Sequence, residues 1–408
     1  MADSDAGHDP QTRLVTGGRR EEWTGIPGQP GRVVNPAVWH ASTHLYPDCA
    51  ALAAGVRSNE DGKFFYGRRG APTQWALADA LTALEPGAAG TMLYPSGLAA
   101  VAFALLAVLR PGDEVLISDN GYDPTRNLGT GWLKDWGVVA TYFDPLDLAG
   151  FPALIGEKTR GVLLETPGSL TMEVPDIPAL AAAAKERGLA VVLDNTWASS
   201  LGLPAIAHGA NLAIMALTKH VGGHSDLMLG SVTATAEYLP ALRKAAQALG
   251  QVAAPDDCAM ALRGLRTLGV RLERQSASAL AIARWLEARG EVARVLCPML
   301  PGSPGHEIWA RDFKGGCGLF SFVLKGGDAA ARARLIDALD LFGIGYSWGG
   351  YESLAIPIDP ARDRSIMAWP PADMDPADRF AVRLSIGLEN VDDLIADLDR
   401  GFAAMAAG

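Results

Sequence analysis

The stretch "ALTKHVGGHSD" (residues 216–226) follows the apolar run "LAIM" (212–215) and ends a strand-like segment on a lysine. A lysine at a strand end is ordinarily a solvated terminus. It becomes chemistry only where other polar groups converge on it. His220 and His224 stand four residues apart, as two metal ligands on one helix face would. Gly222 and Gly223 lie between them, and glycine costs roughly 1 kcal/mol per position inside a helix, so no metal site is expected.

Outward from this stretch, short apolar runs alternate with helical patterns: "EVLIS" (114–118), "GVLLE" (161–165), "LAVVLD" (189–194) and "LAIMAL" (212–217). Continuous apolar strands between helices predict an α/β fold with a mostly parallel sheet covered on both faces. The pattern occupies a large domain over 70–264. Residues 1–69, rich in Gly and Pro with little periodicity, read as an extended arm. Residues 258–289 read as one long helix bridging to a smaller C-terminal α/β domain over 265–408, with strands in "GLFSFVL" (318–324) and "FAVRLSI" (380–386).

The 408 residues carry 49% hydrophobic and 20% charged residues, an ordinary globular composition. A net charge of -11 argues against a nucleic-acid footprint and against an anionic membrane surface. The longest apolar stretch, "AAVAFALLAVL" (99–109), is far short of the roughly 20 residues that span a bilayer. Cys49, Cys258, Cys297 and Cys317 form no CxxC pair. Reduced thiols, a cytoplasmic location and small-molecule chemistry are expected.

In an open parallel sheet, ligands bind outside the carboxyl ends of the strands. Three strands here end in polar residues, in "LLETPGS", "VVLDNTWA" and "MALTKH", so Asp194 and Lys219 can face one crevice. Desolvation lowers a lysine's pKa and makes it nucleophilic. A nucleophilic lysine beside a carboxylate is what pyridoxal 5'-phosphate (PLP) requires: the amine forms a Schiff base while the acid keeps the pyridine nitrogen protonated. Taken alone, Asp194 in "DNT" could equally be a turn residue. Ser96, Gly97 and Leu98 open a helical run, where free N–H groups hold an anion; an ordinary Ser-Gly cap has the same sequence. No GxGxxG or GxxxxGK[ST] is present, so nicotinamide and nucleoside triphosphate have no support. Arg383 interrupts an apolar strand and calls for an anionic partner.

Together these residues resemble the fold-type I PLP enzymes of cysteine and methionine metabolism, and among them the bacterial cystathionine β-lyases. The resemblance runs through "FYGRRG" (65–70), "SDNGYDP" (118–124), "ETPGSLTMEVPD" (165–176), "LDNTWASS" (193–200), "TKHVGGHSD" (218–226), "RGLRTLGVRL" (263–272), "LPGSPGHE" (300–307), "YSWGGYESL" (346–354) and "VRLSIGLENVDDLIADLD" (382–399). It implies that Lys219 carries the cofactor and later moves protons, that Asp194 pairs with the pyridine nitrogen, and that Tyr122 stacks on the ring and assists proton transfer. It further implies that Gly97, Leu98 and Thr218 hold the phosphate, and that Tyr66 and Arg68 reach that phosphate from a neighbouring subunit. Arg383, with Ser347 and Trp348 alongside, would grip the substrate α-carboxylate.

The implied assembly is a homo-oligomer, a tetramer built from dimers with shared active sites. The implied reaction is α,β-elimination of L-cystathionine to homocysteine, pyruvate and ammonia, a step of methionine biosynthesis. Three departures bear on this. Ala216 replaces a serine found in many relatives, so one phosphate hydroxyl is missing. Gly168-Ser169 stands where γ-eliminating relatives commonly have Asn-Pro, and Trp348 stands in their Ser-Leu-Gly. The last two point to the β-lyase branch. The rival expectations are a cystathionine or methionine γ-lyase, a broader cysteine-S-conjugate β-lyase or cysteine desulfhydrase, and a non-catalytic PLP-binding regulator.

Overall fold

The computed structural model describes residues 7–57 and 62–407; residues 1–6 and 58–61 of the expected arm lie outside the described residues. Seven strands form one sheet: β1 (Gly90–Tyr94), β2 (Glu114–Ser118), β3 (Val139–Phe143), β4 (Thr159–Glu165), β5 (Ala190–Asp194), β6 (Leu212–Ala216) and β7 (Gly230–Ala234). Their spatial order is β1-β7-β6-β5-β4-β2-β3. β2 through β6 pair in parallel, and β7 runs antiparallel between β6 and β1.

Alternation along each strand explains why the runs are apolar throughout. Val162 and Leu164 of β4 pack into one core with Leu193 and Met215, while Leu163 joins Val192, Ile214 and Ile117 on the opposite face. A strand buried on both faces has no position left for water-facing residues. In β4 and β5 polarity therefore gathers at the strand ends.

A second sheet, order β10-β11-β9-β8, contains β8 (Val292–Leu296), β9 (Leu319–Leu324), β10 (Leu354–Ile358) and β11 (Ala381–Ser385), all antiparallel. Phe320, Phe322, Val382 and Leu384 pack there against Leu394, Leu398 and Phe402 of the Val391–Ala406 helix. No helix among the described residues is long and apolar enough to cross a membrane.

Two expectations are corrected. The single helix over 258–289 is two, Pro255–Leu265 and Leu268–Glu287, broken at Arg266-Thr267, where Thr267 leaves helical geometry. The buried Arg271 guanidinium turns back to the carbonyls of Gly264, His220 and Val221, which ties the break to the segment after Lys219. The arm is likewise not devoid of helix: Pro10–Thr16, Glu21–Thr24 and Cys49–Arg57 are helical. Asp9 caps the first of these by accepting from the Gln11 N–H at 2.8 Å.

Candidate active site

At the carboxyl ends of β4, β5 and β6 lies a cavity of about 1080 Å³. Gly97, Leu98, Tyr122, Asp194, Thr218, Lys219, Ser347, Trp348 and Arg383 all line it. Residues spread over nearly 290 positions of sequence thus meet in one place because three strand ends, one helix start and β11 converge there.

Lys219 follows β6, and its amine donates to Ser347 Oγ at 2.7 Å. The amine lies 5.3 Å from the centre of the Trp348 ring. Burial, then the nearby Arg383 charge, pushes Lys219 down to about 8, the direction that favours a nucleophilic amine. Arg383 projects from β11 and donates to the Ser347 carbonyl at 3.0 Å; burial pushes it down to about 10. Ser347 therefore holds both cations, from a backbone at φ 91° that non-glycine residues rarely adopt.

Asp194 ends β5 and receives the Thr196 N–H at 3.0 Å and the Thr196 hydroxyl at 2.6 Å. Burial raises its pKa against those donors and the Lys219 charge. Tyr122 sits at the mouth, and burial foremost, then the Glu165 charge, raises its hydroxyl. His220, next to Lys219, is pushed by burial down to about 3 and packs its neutral ring on Trp348, centroids 5.1 Å apart. Residues 217–222 form turns rather than a helix.

The helix Gly97–Val108 begins at the cavity, capped by Ser96 Oγ accepting from the Ala99 N–H at 3.1 Å. The first turn of a helix leaves its N–H groups without intrahelical acceptors. Gly97 is required by contact: a Cβ there would stand 2.6 Å from the Ala216 Cβ. The contact is with the Cβ and backbone of residue 216, so any side chain at 216 calls for glycine at 97. It brings the helix start against the end of β6, two residues from Thr218.

These features fit PLP. A helix start suited to an anion, a buried carboxylate suited to a protonated pyridine nitrogen and a lysine amine of lowered pKa all line the one cavity. Thr218 is engaged elsewhere: its hydroxyl donates to the Leu229 carbonyl at 3.1 Å and accepts the Leu229 N–H at 3.0 Å, so a phosphate must compete for that proton.

Tyr66 and Arg68 do not line this cavity. Tyr66 is 45% exposed, and Arg68 donates to the Gln247 carbonyl at 2.7 Å. Within one chain the structure leaves both apart from Lys219.

Three groups escaped the sequence reading. Glu165 ends β4 in register beside Asp194 and was signalled by the same rule that found Asp194, a polar residue closing a buried strand. Thr196 was signalled only as part of "DNT". Arg364, in the connection from β10 to β11, carried no signal. It donates to the Asp119 carbonyl at 2.7 Å, to the Ser169 carbonyl at 3.0 Å and to the Thr171 hydroxyl. Asp119, fully buried, in turn takes the N–H groups of Ser365, Ile366 and Met367 and pairs with Arg126 at 2.6 Å. This clasp fastens one wall of the cavity three residues before Tyr122.

The sequence model of the family described as "Cys/Met metabolism PLP-dependent enzyme" matches residues 12–403. The cystathionine beta-lyase of Escherichia coli is 42% identical over 96% of this chain and 98% of its own. That of Salmonella typhimurium has the same identity and coverage. A solved structure of cystathionine gamma synthase from Xanthomonas oryzae pv. oryzae, in complex with cystathionine, superposes with a TM-score of 0.86 at 32% identity, covering 98% of this chain and 99% of that one.

Proposed function

Because the chain belongs to the Cys/Met metabolism PLP-dependent enzymes, we propose that it is a cystathionine β-lyase, cleaving L-cystathionine to homocysteine, pyruvate and ammonia. The observation that carries this reading is the meeting of Lys219, Asp194 and Arg383 in one cavity. The names of the relatives at 42% identity favour the β-lyase branch.

What PLP supplies when bound is an electron sink for the carbanion formed at the substrate Cα. Arg383 holds the α-carboxylate, having a guanidinium already desolvated and aimed by the Ser347 carbonyl. Lys219 Nζ accepts the Cα proton; its depressed pKa brings the free base closer to neutral pH than an ordinary lysine allows. Ser347 Oγ, 2.7 Å away, gives that amine a fixed direction when it is not covalently engaged. Asp194, held by Thr196, carries the negative charge that keeps the pyridine nitrogen protonated. Gly97 and Leu98 offer backbone N–H groups to the phosphate. Tyr122, at the mouth, would stack on the cofactor ring and assist proton transfer. Trp348 walls the lysine side of the cavity.

The reading extends to assembly: the enzyme is a cytoplasmic homotetramer of dimers, and Tyr66 and Arg68 complete the phosphate site of the neighbouring subunit. Their distance from the cavity of their own chain supports it. So does the exposure of Val33, Val34, Trp39 and Leu45 on the arm, an apolar surface that a monomer leaves in water. Incubating the holoenzyme with L-cystathionine and identifying the thiol tests the activity. Homocysteine is expected; cysteine contradicts it.

A further inference from the structure

Glu165 turns its carboxyl into the cavity from the end of β4, in register with Asp194 on the next strand. Its Oε2 accepts the Tyr122 N–H at 2.8 Å and its Oε1 accepts the Ser169 hydroxyl. Its backbone carbonyl takes the Asn120 side-chain amide at 3.3 Å, and the Ser169 N–H reaches the Asn120 carbonyl at 2.8 Å. One carboxyl thus clasps the two loops that bring Tyr122 and Ser169 to the site. The clasp has no slack, since a Cβ at Gly168 would lie 2.6 Å from the Asn120 Cβ.

We propose that Glu165, steadied by Ser169, is a positioning residue that fixes Tyr122 over the reacting face of the cofactor. The inference rests on the PLP assignment, and on the lyase reading only for one of its assays.

The charge state of Glu165 belongs to the same device. The groups facing this cluster are Asp194 from β5, Tyr122 and Asp123 from the segment after β2, and Arg364 from the β10–β11 connection; Lys219 and Arg383 stand across the cavity. Arg364 is already engaged by Glu173 at 3.3 Å and by backbone carbonyls. Burial, then the Asp194 charge, holds the Glu165 carboxyl well above the usual carboxylate range. Its uncharged form is thereby favoured beside Asp194. As pH rises, ionisation of Glu165 brings a second negative charge next to Asp194.

The test compares Glu165→Gln, Glu165→Ala and Ser169→Ala, alone and with Tyr122→Phe. Three readouts are taken: PLP titration into apoenzyme, the pH dependence of the bound cofactor's absorption, and kcat and KM for L-cystathionine. Glu165→Gln keeps the shape without the titration, so PLP affinity and kcat at pH 7 stay within about 3-fold while the part of the wild-type absorption pH profile that follows Glu165 ionisation is lost. Glu165→Ala and Ser169→Ala lower kcat by roughly 10-fold or more with KM little changed, as a misplaced group does. Adding Tyr122→Phe to Glu165→Ala costs no more than Tyr122→Phe alone, because both act through one side chain.

Wild-type kcat in Glu165→Ala, additive losses, or an unchanged absorption profile in Glu165→Gln would each overturn the proposal. Should Glu165→Ala fail to fold, judged by apoenzyme melting, the Gln profile and Ser169→Ala still decide. If the wild type does not turn over cystathionine, the lyase reading fails, while the titration and absorption still judge Glu165.

Discussion

Lys219 is stored in the native chain at a cost. Its amine is pushed down to about 8 from an ordinary 10.5, so the unfolded chain binds its proton more tightly than the native apoenzyme does. Below pH 8 that mismatch costs on the order of 3 kcal/mol, and it shrinks as pH rises toward 10.5. Lys219→Met is therefore expected to abolish turnover and covalent cofactor binding yet give an apoenzyme more stable than wild type at pH 7, with the difference closing at high pH. Urea unfolding of both apoenzymes at two pH values measures this; a less stable variant at pH 7 contradicts it. Arg383→Leu raises KM for every amino-acid substrate by roughly 10- to 100-fold, the loss of a charge-assisted contact of about 1.5–3 kcal/mol. Steady-state kinetics with two unrelated amino acids check it, and an unmoved KM places the carboxylate elsewhere.

Among elements, strand ends were the legible part. β2 coincides with "EVLIS", and β4, β5 and β6 each lie within a residue or two of their apolar runs, because burial on both faces leaves a continuous apolar signature. What lay beyond local pattern was not legible. The break at Arg266-Thr267 is accompanied by Arg271 reaching carbonyls some 50 residues upstream, and nothing in a helical periodicity announces that contact. The Arg364 clasp depends on a connection more than 190 residues from its acceptors at Ser169 and Thr171. Gly97 was legible as a helix start but not as a contact. Gly97→Ala drives a methyl to within 2.6 Å of the Ala216 Cβ and pushes the helix start away from β6. Overpacking of about 1–3 kcal/mol is expected to appear as roughly 10-fold weaker PLP binding in a fluorescence titration of apoenzyme. Unchanged affinity removes this helix start from the phosphate site.

For the whole molecule, the resemblance across nine sequence segments carried the assignments that one chain cannot display. Tyr66 and Arg68 do not line the cavity of their own chain, so the role proposed for them depends on the proposed assembly. Arg68→Ala weakens PLP retention, and mixing it with Lys219→Ala subunits restores activity. In a mixed dimer one of the two sites takes Lys219 from one chain and Arg68 from the other, so about a quarter of wild-type activity returns after random reassociation. No recovery above the parent variants contradicts shared sites. The reaction itself is tested most directly by the keto acid released from L-cystathionine. A β-lyase removes one proton, from Cα, and expels the thiolate from Cβ, so chromatography of the products is expected to show pyruvate; predominant 2-oxobutyrate, the product of γ-elimination, would contradict it.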